Sequence, residues 1–197
     1  MPPAAKPPSS SDPVIIAYHA IFTTYGTWLP NDPRGSFSKE IYSPYLRDLG
    51  EIRYGRQDPQ PDRETLVRYW RAAGKRLSRP PFFFDDSTRP TVASGFAEVG
   101  QRLALHVPAC SIMNDHVHVL VLKSRYRIEY LVNQLKGAAT RALELSQTPW
   151  ARKSWKIFID DIETLRAAVR YIEDNPPRSG LPPRRWSFVR PLPKRYS

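Results

Sequence analysis

Apolar residues along the chain fall into runs whose period switches between two and between three and four. The run VIIAYHAIFTTYGT, from Val14 to Thr27, is dense in β-branched and aromatic residues and predicts a buried strand. Val92, Phe96, Val99 and Leu103 recur at helical spacing, behind Ser87 or Thr88 as N-cap and Pro90 in the first turn. LALHVPACSIM (103–113) and HVHVLVL (116–122) read as two strands joined by a tight turn at Asn114-Asp115. Ile128, Leu131, Leu135, Ala138 and Ala142 define an amphipathic helix over 128–145, and SWKIFI (154–159) a short strand. Ile162, Leu165, Val169 and Ile172 mark a last helix, which Pro176-Pro177 predicts to end near Asn175.

The order β-α-β-β-α-β-α predicts an α+β fold. It suits a ferredoxin-like (RRM-like) antiparallel sheet with helices mainly on one face and an appended C-terminal helix. Residues 1–13, rich in Pro, Ala and Ser, read as a disordered leader. Residues 14–177 read as one domain, and 178–197 as a basic, proline-rich tail. Within the domain, 36–86 reads as an irregular basic and aromatic insertion with a short helix around 64–77. Basic and aromatic residues interleaved in this way suit single-stranded nucleic acid, which offers phosphates and stacking faces together. Each ring taken singly is equally well explained by pinning a long loop to the core.

Charge narrows the class of partner. Thirty Lys and Arg against nineteen Asp and Glu give a formal charge of +11 in 197 residues, which attracts polyanions, nucleic acid first among them. The single cysteine, Cys110, excludes an internal disulfide and a thiolate zinc cluster. No apolar h-region and no run of membrane-spanning length appears, so the expectation is a cytoplasmic chain with no membrane partner.

Candidate chemistry sits on the second strand of the predicted hairpin and on the last helix. Residues i and i+2 of a strand share a face, so His116 and His118 project together while Val117 and Val119 pack the other way. Two imidazoles on one face can bind one divalent cation; a pair hydrogen-bonded on a sheet surface is the simpler explanation of an isolated H-x-H. Tyr171 and Asn175, four apart, share a helical face. Asn offers a hard carbonyl oxygen suited to Mg²⁺ or Mn²⁺. Singly, Asn175 also serves as a C-terminal cap, and Tyr171 as a half-buried aromatic with a wet hydroxyl. His19 and His106 read as satisfied core or surface histidines, and Glu173 and Asp174 as exposed helix positions.

In this order, MNDHVHVLV (113–121) and YIEDNPPRSGL (171–181) resemble the single-tyrosine HUH transposases. They are more closely similar to the REP-associated tyrosine transposases and their insertion-sequence relatives. YGTWLPNDPRG (25–35), QLKG (134–137) and WKIFIDD (155–161) resemble the same group, so the likeness runs from about Val14 to Val189. Asn114-Asp115 stands where the family often has proline before Asn or Asp, and Pro177 where it has valine. The resemblance implies an HUH endonuclease domain: His116, His118 and Asn175 hold Mg²⁺ or Mn²⁺, and Tyr171 is the nucleophile that forms a 5′-phosphotyrosine link. It also implies a single-stranded or hairpin DNA partner, a bacterial setting at the nucleoid, and either a monomer or a homodimer. The grip on DNA is expected from Lys136 and Arg141 on the middle helix, Arg166 and Arg170 on the last, and Arg178, Arg184 and Arg185 in the tail. Two alternatives stay open: an RRM-like single-strand binder without catalysis, and a metal-dependent nuclease using activated water.

Overall fold

Strand β1 (Ala17–Thr23) alternates between two cores, and that division organises the molecule. In the computed structural model, which describes residues 14–196, the leader expected at 1–13 lies outside the described residues. β1 runs antiparallel to β3 (His116–Leu122) on one side and β4 (Trp155–Ile159) on the other, and β2 (Ala109–Ile112) completes the order β2-β3-β1-β4. The fold is α+β, with a ferredoxin-like strand order. Tyr18, Ala20 and Phe22 of β1, with Val117, Val119 and Val121 of β3, face a core closed by α2 (Thr88–Arg102) and α3 (Ile128–Ala142). Gly95 allows those helices to meet closely, since a Cβ there would lie 2.9 Å from the Ala138 carbonyl oxygen. On the opposite face, Leu165 and Ile172 of α4 (Ile162–Arg178) pack on Ala17, Ala109, Leu120, Leu122 and Ile159.

Three expectations are corrected. The strand expected over 103–113 is confined to 109–112: Leu103 caps α2, Ala104 turns the chain at φ 49°, and Val107 instead bridges Val189 of the tail. The N-terminus of α2 is not capped by a Ser87 side chain. The Asp85 carboxylate accepts from the hydroxyls of Ser87 (2.7 Å) and Thr88 (2.8 Å) and from their backbone N–H groups (3.1 and 2.8 Å), and those hydrogen bonds, the hydroxyls first, hold its pKa well below the ordinary carboxylate value. The last helix passes through Pro176-Pro177 to Arg178. Proline costs most in a helix interior. Here the two missing N–H groups fall in the final turns, and the carbonyls of Asn175, Pro176 and Pro177 still accept from Ser179, Leu181 and Gly180.

The segment 36–86 divides by packing. Helix α1 (Arg63–Gly74), N-capped by Asp62, buries Tyr69 and Ala73 against Leu29 and Leu46. The Tyr69 hydroxyl donates to Asn31 (2.9 Å), whose amide donates to the Leu46 carbonyl (2.6 Å). These rings pin the insertion to the loop after β1. Ahead of α1, Ser36 pairs with Tyr54, and the chain crosses so tightly that a Cβ on Gly35 (φ +94°) would meet the Gly55 carbonyl oxygen at 1.7 Å. Gly35→Ala is therefore expected to lose at least about 1–3 kcal/mol of stability. Urea unfolding checks this; an unchanged midpoint would show that the crossing relaxes freely.

Candidate active site

The site lies on the α4 face of the sheet, where His19 and His118 are buried beneath the helix. His116, His118, Ile21, His19 and Trp155 project from that face by strand parity, because Ile21 pairs with both His118 and Trp155. The rings of His116 and His118 are 4.9 Å apart, centroid to centroid, at 79°. Tyr171 comes down on them from α4, its ring 5.6 Å from His118 and 6.2 Å from His19, both edge-on. The tyrosine is 45% exposed.

Each histidine has its Nδ1 engaged. His116 Nδ1 lies 2.6 Å from Asp115 Oδ1, and His118 Nδ1 lies 3.0 Å from His19 Nε2. Burial pushes the His19 pKa down to about 4. Burial, then the neighbouring His116 and His19, holds His118 well below the ordinary imidazole value. The rings of His19 and His118 are thus neutral at neutral pH, the form in which an imidazole can bind a metal. Burial works against the Asp115 carboxylate, yet the hydrogen bond and charge of His116, the Trp28 indole and Arg34 outweigh it and hold its pKa low.

Asp115 is more than the turn residue expected from sequence. Its second carboxylate oxygen accepts from Trp28 Nε1 (3.1 Å), and the Arg34 guanidinium lies 4.0 Å over the Trp28 ring. Arg34 is clamped in turn by the fully buried Asp32 at 2.8–3.0 Å. Thr24 and Thr27 donate their hydroxyls to the Asp115 carbonyl (3.1 and 3.2 Å). From α2, buried Arg89 holds Asn114 at 2.5 Å. The loop TWLPNDPRG is thereby a brace behind His116. Sequence reading missed His19, Asp115, Trp28 and Arg34 as site residues. Parity alone could have flagged His19, which points away from the Tyr18, Ala20 and Phe22 core.

The remaining candidates are spread out. Asn175 turns its Nδ2 back to the Tyr171 carbonyl (2.7 Å), directing hydrogen-bond donation into the helix. Among the described residues, no group of three His, Cys, Asp or Glu is arranged to hold a metal ion. Lys136 is occupied: its ammonium donates to the carbonyls of Ala151 (2.8 Å) and Lys153 (3.2 Å), and burial, then Lys156, lowers its pKa to about 8. Lys136 and Arg141 ride on α3, across the sheet from the histidines. Arg166 donates to the Tyr196 carbonyl (3.1 Å), Arg170 is exposed, and Arg178 pairs loosely with Asp174 (3.4 Å). Arg184 and Arg185 border a groove of about 300 Å³ between β2 and the end of α4. His106 is satisfied by the Pro191 carbonyl at 2.8 Å.

Taken together, these features define an α+β protein with a histidine pair on a sheet and a tyrosine presented to it by a helix. The family model described as "Transposase IS200 like" matches residues 77–175, half of the chain, and the protein belongs to that transposase family. It is also similar to a solved REP-associated tyrosine transposase bound to a REP hairpin, at 11% identity and a TM-score of 0.48, covering 89% of this chain and 75% of that one. A candidate transposase from Deinococcus radiodurans R1 is similar at 15% identity and a TM-score of 0.37, covering 86% and 97%. No curated protein matches the chain. Among the described residues, no helix is long and apolar enough to cross a membrane.

Proposed function

We propose that this transposase cuts and rejoins single-stranded or hairpin DNA by transesterification at Tyr171. The observation that carries the reading is the Tyr171 ring lying 5.6 Å from His118, beside a second histidine on the same face. The Tyr171 oxygen, having given up its proton, attacks the scissile phosphorus. A P–O(Tyr) bond forms, the P–O3′ bond breaks, and the leaving 3′-oxygen takes up a proton. The phosphodiester energy is kept in the 5′-phosphotyrosine, so a second 3′-hydroxyl can reverse the step and join strands.

The donors fit a divalent cation. With Nδ1 of both histidines engaged, His116 and His118 have Nε2 left as the ligating atom, and the Asn175 amide oxygen is a hard third donor. Mg²⁺ or Mn²⁺ bound there would supply Lewis-acid polarisation of the phosphate. His19 and Asp115 act on the ligands, fixing which nitrogen carries the proton.

Incubation with short hairpin oligonucleotides and Mn²⁺ is expected to give a protein–DNA band that survives denaturation. Cutting without such a band would support activated water as the nucleophile instead. The +11 charge supports an electrostatic grip on the strand. For single strands, binding is expected to weaken with salt at a log–log slope of about 0.7 per phosphate contact. Arg184→Ala with Arg185→Ala should reduce that slope by about 1–1.5 if both touch phosphates. A slope unchanged in the double variant would remove the tail from the DNA path.

A further inference from the structure

We infer that Phe37, Tyr54 and Trp155 form a stacking platform for unpaired DNA bases next to the scissile phosphate. The Phe37 ring stacks on Trp155 at 4.7 Å and 28°, and Tyr54 meets Phe37 edge-on at 6.0 Å. These rings differ from the buried Tyr69, which fixes the insertion: Phe37 is 54%, Tyr54 52% and Trp155 37% exposed. Large aromatic faces left in water together, on a frame held by the Ser36–Tyr54 pairing and the Gly35–Gly55 crossing, are suited to a planar partner.

Charge identifies that partner. Lys39 lies 6.0 Å over Tyr54, and Lys153 and Arg152 lie 4.5 and 5.7 Å over the exposed ring of Tyr42, just before β4. Cations beside open rings match a single strand, which presents phosphates and bases in alternation. Duplex DNA keeps its base faces stacked inside and has nothing to offer these rings.

The location follows from strand register. His118, Ile21 and Trp155 form one row across three adjacent strands and point to the same face, so Trp155 stands about 10 Å from His118 along the sheet. The placement beside the scissile phosphate rests on the proposed chemistry at His116, His118 and Tyr171; the capacity to stack bases does not. The insertion that carries Phe37 and Tyr54 thereby extends the site toward the strand flanking the cleaved bond.

The test separates these two claims. Binding of dye-labelled oligothymidylate to the full chain is measured by anisotropy in EDTA, where no covalent step interferes. Phe37→Ala and Tyr54→Ala, both at exposed positions, are each expected to weaken it about 10-fold, with duplex binding and unfolding midpoint unchanged. Trp155→Phe should abolish part of the tryptophan quenching seen on binding while retaining most affinity. Unchanged single-strand affinity in both alanine variants overturns the platform, whether or not wild-type protein forms the covalent adduct. Abasic substitutions are then walked along a hairpin substrate. Loss of the Phe37 effect at one position flanking the cleaved bond supports the placement, and loss only at distant positions overturns it. Tighter binding of the matching RNA oligomer would overturn the assignment to DNA.

Discussion

Tyr171→Phe is expected to abolish the covalent protein–DNA adduct, on the order of 10³-fold or more, while leaving DNA binding within about twofold. The substitution removes one oxygen and keeps the ring that meets His118 and His19 edge-on. The helix is held by its neighbour Ile172 and by Leu165, both fully buried, so stability should change by less than about 0.5 kcal/mol. Denaturing gels with a labelled hairpin and Mn²⁺ read the adduct, and anisotropy reads binding on the same samples. An adduct that persists in the variant would transfer the nucleophile to another residue. Cutting that persists without an adduct would instead favour hydrolysis.

The second large effect is expected away from the reacting atoms. Asp115→Asn keeps the size of the side chain but replaces one acceptor oxygen with an NH₂ group, between the Trp28 indole and the His116 ring. His19→Phe keeps a ring at a buried position and removes the nitrogen that faces His118 Nδ1. Each change is expected to weaken Mn²⁺ binding about 10- to 100-fold, because a ligating imidazole needs its other nitrogen protonated and held. Calorimetric titration of Mn²⁺ into each variant measures it. The Asp115 backbone carbonyl, which accepts from Thr24 and Thr27, is untouched, so the turn should survive. Partial recovery in His19→Gln, which restores an acceptor, would separate positioning from packing. Wild-type affinity in both variants would leave the two contacts a purely structural role.

Local periodicity carried much of this architecture into the sequence. Alternation in HVHVLVL implied two histidines on one face, and the structure has their rings 4.9 Å apart opposite the Val117–Val121 core. Helical spacing put Tyr171 one turn from Asn175, and the two do share a hydrogen bond. What alternation cannot express is contact between distant segments. Trp28 reaches Asp115 across 87 positions, and His19 reaches His118 across 99, with no local signal that either loop or strand will arrive there. Lys136 is a further case: nothing in its place on an amphipathic helix announces the two carbonyls from 151 and 153 that accept from its ammonium. The insertion resisted reading because its order comes from Tyr69 in a small separate core and from one glycine crossing.

Because α4 continues unbroken from Ile162 to Arg178, Tyr171 and Asn175 are carried by one rigid rod fixed to the sheet at Leu165 and Ile172. Rotation per residue in such a rod is roughly 100°. Adding or deleting a single residue between Leu165 and Tyr171 would therefore swing the hydroxyl off the histidine face, while the same change beyond Arg178 would leave it aimed. The chain thus holds a stretch whose length is fixed by angle alone, in which a conservative insertion does more damage than a drastic substitution.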